Sequence, residues 1–103
     1  MFSFLKNLFK PSAAIAKMVK EGAIIVDVRT RGEYQAGHIE GSKNIPLDVI
    51  KKELESLQKL KKPVVTVCQS GSRSGIAKSI LKSAGMEVYN GGAWTNLKRQ
   101  LQD

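Results

Sequence analysis

The stretch Val64-Val65-Thr66-Val67-Cys68-Gln69-Ser70-Gly71-Ser72-Arg73-Ser74-Gly75 decides the fold, and it holds the single cysteine of a 103-residue chain. Its β-branched run reads as a buried strand. The strand leads straight into Cys68, then into a loop of small polar residues, an arginine and a helix that begins near Ser74. The thiolate is the nucleophilic form of cysteine, and its charge must be stabilised. Successive N–H groups over Gln69, Ser70, Gly71 and Ser72 can form an anion-binding concavity around the sulfur. The helix N-terminus adds a partial positive charge, and Arg73 adds a full one. Such surroundings bring a thiol from about 8.5 into the range of roughly 3.5–7.5. The competing reading is a buried, inert cysteine that merely closes a core strand.

Outward from this stretch, helices alternate with short apolar strands. Ser12 can cap a helix over Ala13–Glu21, with Ile15, Met18 and Val19 on one face and Gly22 past its end. The continuous apolar run Ala23–Val28 is read as a strand buried on both faces. Thr30-Arg31-Gly32-Glu33 has the capping-box spacing, which predicts a short helix to Ala36 that Gly37 stops. Lys43–Ile45 reads as a short strand before Pro46. Leu47, Ile50, Leu54 and Leu57 recur at helical spacing and end before Pro63. After Cys68 the pattern predicts a helix over Ser74–Ala84 with Ile76, Ala77, Ile80 and Leu81 inward. A strand at Met86–Tyr89, a turn at Asn90-Gly91-Gly92 and a last helix bearing Trp94, Leu97 and Leu101 complete the domain. This order implies an α/β fold, a parallel sheet with helices on both faces. In such sheets ligands sit outside the carboxyl ends of the strands. Cys68 lies at one such end and Asp27 to Arg29 at another.

Composition narrows the function classes. The length fits one domain, and the 42% hydrophobic content fits a globular protein with a single core. One cysteine excludes an intramolecular disulfide, so nothing points to an oxidising compartment and a cytoplasmic setting is expected. It also leaves the chain without a resolving cysteine, so a covalent intermediate on Cys68 must be relieved by an outside acceptor. The net charge of +8 and the pI of about 9.8 favour anionic partners. Nucleic acid is not expected, because the lysines are scattered and no aromatic residues interleave with them for base stacking. No apolar run approaches the ~20 residues that span a bilayer. Residues 1–11 form a short amphipathic segment distinct from a domain over 12–103. Within it Phe2, Leu5 and Phe9 share a helical face, so residues 1–10 read either as an interfacial foot for peripheral membrane contact or as a short packed or frayed helix.

Three blocks together resemble the single-domain rhodaneses. The first runs from Asp27-Val28-Arg29 through Glu33-Tyr34 and Gly37-His38-Ile39 to Gly41-Ser42 and Asn44-Ile45-Pro46. The second is Cys68-Gln69-Ser70-Gly71-Ser72-Arg73-Ser74. The third is Gly91-Gly92 with Trp94 close behind. The resemblance covers about Ser12 to Leu101. It implies a rhodanese-like three-layer sandwich and a sulfurtransferase in which Cys68 takes sulfane sulfur from a small anionic donor such as thiosulfate. The sulfur would be carried as a persulfide and passed to a thiol or cyanide acceptor, or through a protein sulfur-relay partner. Gln69, Ser70, Gly71, Ser72 and Arg73 would bind the substrate, with Asp27, Arg29 and Ser74 in support. Neither metal nor organic cofactor is implied, and the lone His38 is expected to be structural. Related phosphatases of the same fold have a longer loop between cysteine and arginine; here only Gln69, Ser70, Gly71 and Ser72 intervene, which suits a sulfur atom better than a phosphoryl group.

Several roles stay open at this level. Arg73 can bind the donor's anionic end, the reading we favour, or brace the loop through carbonyls. Ser72 and Ser74 can donate to the sulfur, while Ser74 can equally be a helix N-cap. Asp27, Arg29 and Glu33 can form an ion-pair cluster that supports the loop. A different class of function is a rhodanese-like module that docks on a protein partner or an anionic membrane without turnover.

Overall fold

The computed structural model describes residues 11–102, and the amphipathic reading of residues 1–10 lies outside them. The elements in chain order are helix α1 (Pro11–Lys20), strand β1 (Ile24–Asp27), helix α2 (Arg31–Ala36), strand β2 (Lys43–Asn44), a 3-10 helix (Leu47–Glu53), helix α3 (Leu54–Lys59), strand β3 (Val64–Cys68), helix α4 (Ser72–Ser83), strand β4 (Val88–Ala93) and helix α5 (Trp94–Gln102). The four strands form one sheet in the order β2-β1-β3-β4, with every pairing parallel.

Strand alternation assigns the layers. Val26 and Val28 of the β1 segment and Val64 and Cys68 of β3 pack with Ile50, Leu57, Ala77 and Leu81, so the 3-10 helix, α3 and α4 cover one face. Ile25, Val65 and Val67 pack with Ile15, Ala16, Ile39 and Leu97, so α1 and α5 cover the other. β3 is buried at all five positions, as a central strand sealed on both sides must be. The parallel sheet covered on both faces, expected from the alternation of elements, and the three-layer sandwich implied by the resemblance are therefore the observed architecture.

Four local expectations are corrected. α1 begins at Pro11, ahead of Ser12, because the fixed φ of proline suits a first helical turn. The segment after Pro46 winds first as a 3-10 helix and becomes α-helical only at Leu54, with Ile50 fully buried at its centre. Ile76 faces outward at 53% exposure, while the small Ala77 meets the sheet. Asn90-Gly91-Gly92 is not a turn but part of β4, which carries a bulge: Thr66 pairs with Asn90 and Val67 with Gly92. Gly91 is the skipped residue. A Cβ there would lie 2.8 Å from Val65 Cγ1, 2.9 Å from Val67 Cγ1 and 3.0 Å from the Thr66 carbonyl oxygen, so only glycine lets the backbones approach this closely.

Candidate active site

β3 ends at Cys68, and the chain turns at once over the sulfur. Gly71 adopts φ 102°, a left-handed conformation that glycine reaches without strain. This bend points the Gly71 amide back at Cys68 Sγ, 2.9 Å away. It also starts α4 two residues earlier than the sequence suggests, at Ser72, so the positive end of the helix lies beside the sulfur. Ser74 is then inside the first turn rather than its N-cap. Its hydroxyl, fully buried, lies 3.3 Å from Cys68 Sγ. Burial pushes the thiol up. The Ser74 hydroxyl and the amides of Ser74, Gly71 and Ser70 pull it down further than burial raises it, so the thiol titrates below its ordinary value.

Cys68 itself is fully buried, yet the amides after it turn inward. Burial without a partner would describe an inert core cysteine; burial with aligned donors describes a stabilised anion. Gln69, Ser70 and Ser72 are exposed along the outer side of the loop. A cleft of about 380 Å³ opens beside it, lined by Ile15, Ser70, Gly71, Ser72, Asn90, Gly91 and Gly92.

The charged residues sort differently from the single Asp27–Arg29–Glu33 cluster drawn from sequence. Asp27 and Arg29 form a buried pair, with Arg29 Nη2 2.7 Å from Asp27 Oδ2 and Nε 3.0 Å from Oδ1. Arg29 also donates to the Glu33 and Gly37 carbonyls and lies 4.4 Å from the centre of the Trp94 ring. Glu33 turns instead to Arg73: the two terminal guanidinium nitrogens donate to its two carboxylate oxygens at 2.7 and 2.9 Å. This two-point fork ties the loop to α2. The capping box aims Glu33 there, since its side chain also accepts from the Thr30 amide. The Arg73 hydrogen bonds, then the Thr30 amide, hold the Glu33 carboxyl at about 2. His38 donates from Nδ1 to the Tyr34 carbonyl at 2.7 Å and stacks on the Tyr34 ring, so it is spent on α2.

Sequence reasoning gave Asn90 no role. Its side chain accepts from Ser74 Oγ at 2.7 Å and from the Gly92 amide at 2.9 Å, and it donates to the Gly71 carbonyl at 3.1 Å. One amide thus joins the β4 bulge, the loop and α4. The signal available was an asparagine directly before Gly-Gly at the end of a strand, which is ambiguous with a turn.

The rhodanese-like domain family matches residues 11–96. The uncharacterized protein YqhL of Bacillus subtilis is 41% identical over 69 residues, which are 66% of this chain and 54% of that protein. The thiosulfate sulfurtransferase PspE of Escherichia coli is 39% identical over 69 residues, 65% of this chain and 66% of that protein. The chain therefore spans about half the length of the Bacillus relative. A solved rhodanese with anions from E. coli superposes with a TM-score of 0.67 at 34% identity, covering 73% of this chain and 91% of that one. A parallel sheet that delivers one cysteine into a ring of amides agrees with these matches in sequence and in structure, and the chain belongs to the rhodanese-like domain family.

Proposed function

We propose that the protein is a sulfurtransferase that carries sulfane sulfur on Cys68. The observation that supports it most is the Gly71 amide aimed at the buried sulfur from 2.9 Å, in a loop whose donors all favour negative charge. The thiosulfate sulfurtransferase PspE among its relatives agrees with this reading. The Cys68 thiolate attacks the outer sulfur of thiosulfate; the new S–S bond forms as the S–SO3 bond breaks, and sulfite leaves with the bonding pair. The persulfide then gives its terminal sulfur to a thiolate or cyanide, and Cys68 leaves as thiolate. No proton need move in either half-reaction if Cys68 begins ionised. The loop over residues 69–72 supplies the donors for the persulfide charge, and Arg73 braces that loop through Glu33.

Incubation with thiosulfate followed by intact mass measurement tests the reading. The wild type is expected to gain one sulfur atom, and Cys68→Ser none. A wild type that gains nothing, or a Cys68→Ser variant that gains as much, overturns it.

A further inference from the structure

Asn90 cannot be turned over. The Gly92 amide can only donate and the Gly71 carbonyl can only accept, so Oδ1 must face Gly92 and Nδ2 must face Gly71. Ser74 Oγ lies 2.7 Å from that same Oδ1, so Ser74 is the donor and its single hydroxyl proton is committed to Asn90. What the hydroxyl then presents to Cys68 Sγ, 3.3 Å away, is a lone pair. A thiol can donate to it; a thiolate cannot use it until the hydroxyl turns about Cβ–Oγ.

We propose that Asn90 is a positioning residue for Cys68: it competes with the sulfur for the one proton of Ser74 and so sets how much of that hydroxyl reaches the sulfur once it is ionised. When the thiol proton leaves to solvent, Ser74 swings its own proton to the sulfur, and Asn90 Oδ1 keeps only the Gly92 amide of these two donors. Ionisation at the end of β3 is thereby coupled to the bulge of β4. The charged groups around this end of the sheet are Arg73 from α4, Glu33 from α2, the Asp27–Arg29 pair at the end of β1, and Asp48 of the 3-10 helix, which shares a groove with Arg73. Among the described residues, none of these side chains hydrogen-bonds Asn90 or Ser74, so their fields act on Cys68 alike with and without the Asn90 side chain.

The pH dependence of Cys68 alkylation by iodoacetamide measures it in wild type, Asn90→Ala, Ser74→Ala and the double variant. Asn90→Ala frees the Ser74 proton and is expected to lower the midpoint by about half to one pH unit, the worth of one hydrogen bond. In the Ser74→Ala background the same change is expected to leave the midpoint where it was. A midpoint that stays or rises in Asn90→Ala, or that falls equally without Ser74, overturns the proposal, because a merely structural asparagine would act independently of Ser74. A second measurement needs no change at Asn90. In the wild type the Gly92 amide resonance is expected to titrate with Cys68, and in Ser74→Ala to stop titrating while that of Gly71 continues. A Gly92 resonance that is flat through the wild-type titration also sinks the idea. The inference concerns ionisation alone, so its failure leaves the sulfur-loading test untouched, and the reverse also holds.

Discussion

β1 and β3 are neighbouring strands that end on the same edge of the sheet, and they end in opposite ways. β1 runs into Asp27 and Arg29, a buried pair whose hydrogen-bonding groups meet protein: each other, two carbonyls and an indole ring. β3 runs into a sulfur met by the amide of Gly71 and by a hydroxyl already promised elsewhere. The first end is saturated and therefore rigid. The second keeps unused capacity for charge and therefore can react. Buried polar groups on one edge are not equivalent; the difference lies in whether their partners are exhausted.

The largest expected effect breaks the saturated end. Asp27→Ala removes the carboxylate and leaves Arg29 buried with an uncompensated charge, a loss of about 3–5 kcal/mol by the usual cost of halving a buried pair. Denaturant unfolding measures it; a loss no greater than that of a surface substitution would mean that Arg29 escapes to water and that this end is no brace. Next comes the packing that supports the reactive end. Gly91→Ala forces a methyl group against Val65, Val67 and the Thr66 carbonyl, and overpacking of this kind costs about 1–3 kcal/mol. Thermal unfolding checks it, and an unchanged midpoint would mean that the bulge can slide without strain.

The smallest effect sharpens the contrast by pH. The Glu33 carboxyl is held at about 2, below its ordinary 4.5, so its pairing with Arg73 adds stability that is whole above pH 4.5 and is lost as pH falls through about 2. The melting temperatures of wild type and Glu33→Gln are expected to differ at pH 6 and to converge toward pH 2. A gap that stays constant across that window would show that the ion pair contributes nothing to stability.

Much of this was legible in the chain. The runs at 23–28 and 64–67 announce buried strands because stretches dominated by β-branched residues suit a strand covered on both sides, and Thr30 with Glu33 announces its helix because a capping box is a local device. What stayed hidden is long-range. Glu33 and Arg73 are 40 residues apart, and nothing near either names the other. Asn90-Gly91-Gly92 has the composition of a turn, and only the register against Val65 and Val67 makes it a bulge. In α4 both Ile76 and Ala77 are expected inward from the spacing, and only the smaller Ala77 meets the sheet while Ile76 stays exposed.

Trp94 is the only tryptophan in the sequence, and it stands with the Arg29 guanidinium over its ring and Gly37 3.1 Å from its edge by a Cβ placed there. The molecule thus carries a native fluorophore on the edge it shares with the cysteine. Its emission is expected to change when the Arg29 guanidinium leaves the ring, so loosening of this corner can be followed optically, without attaching a dye.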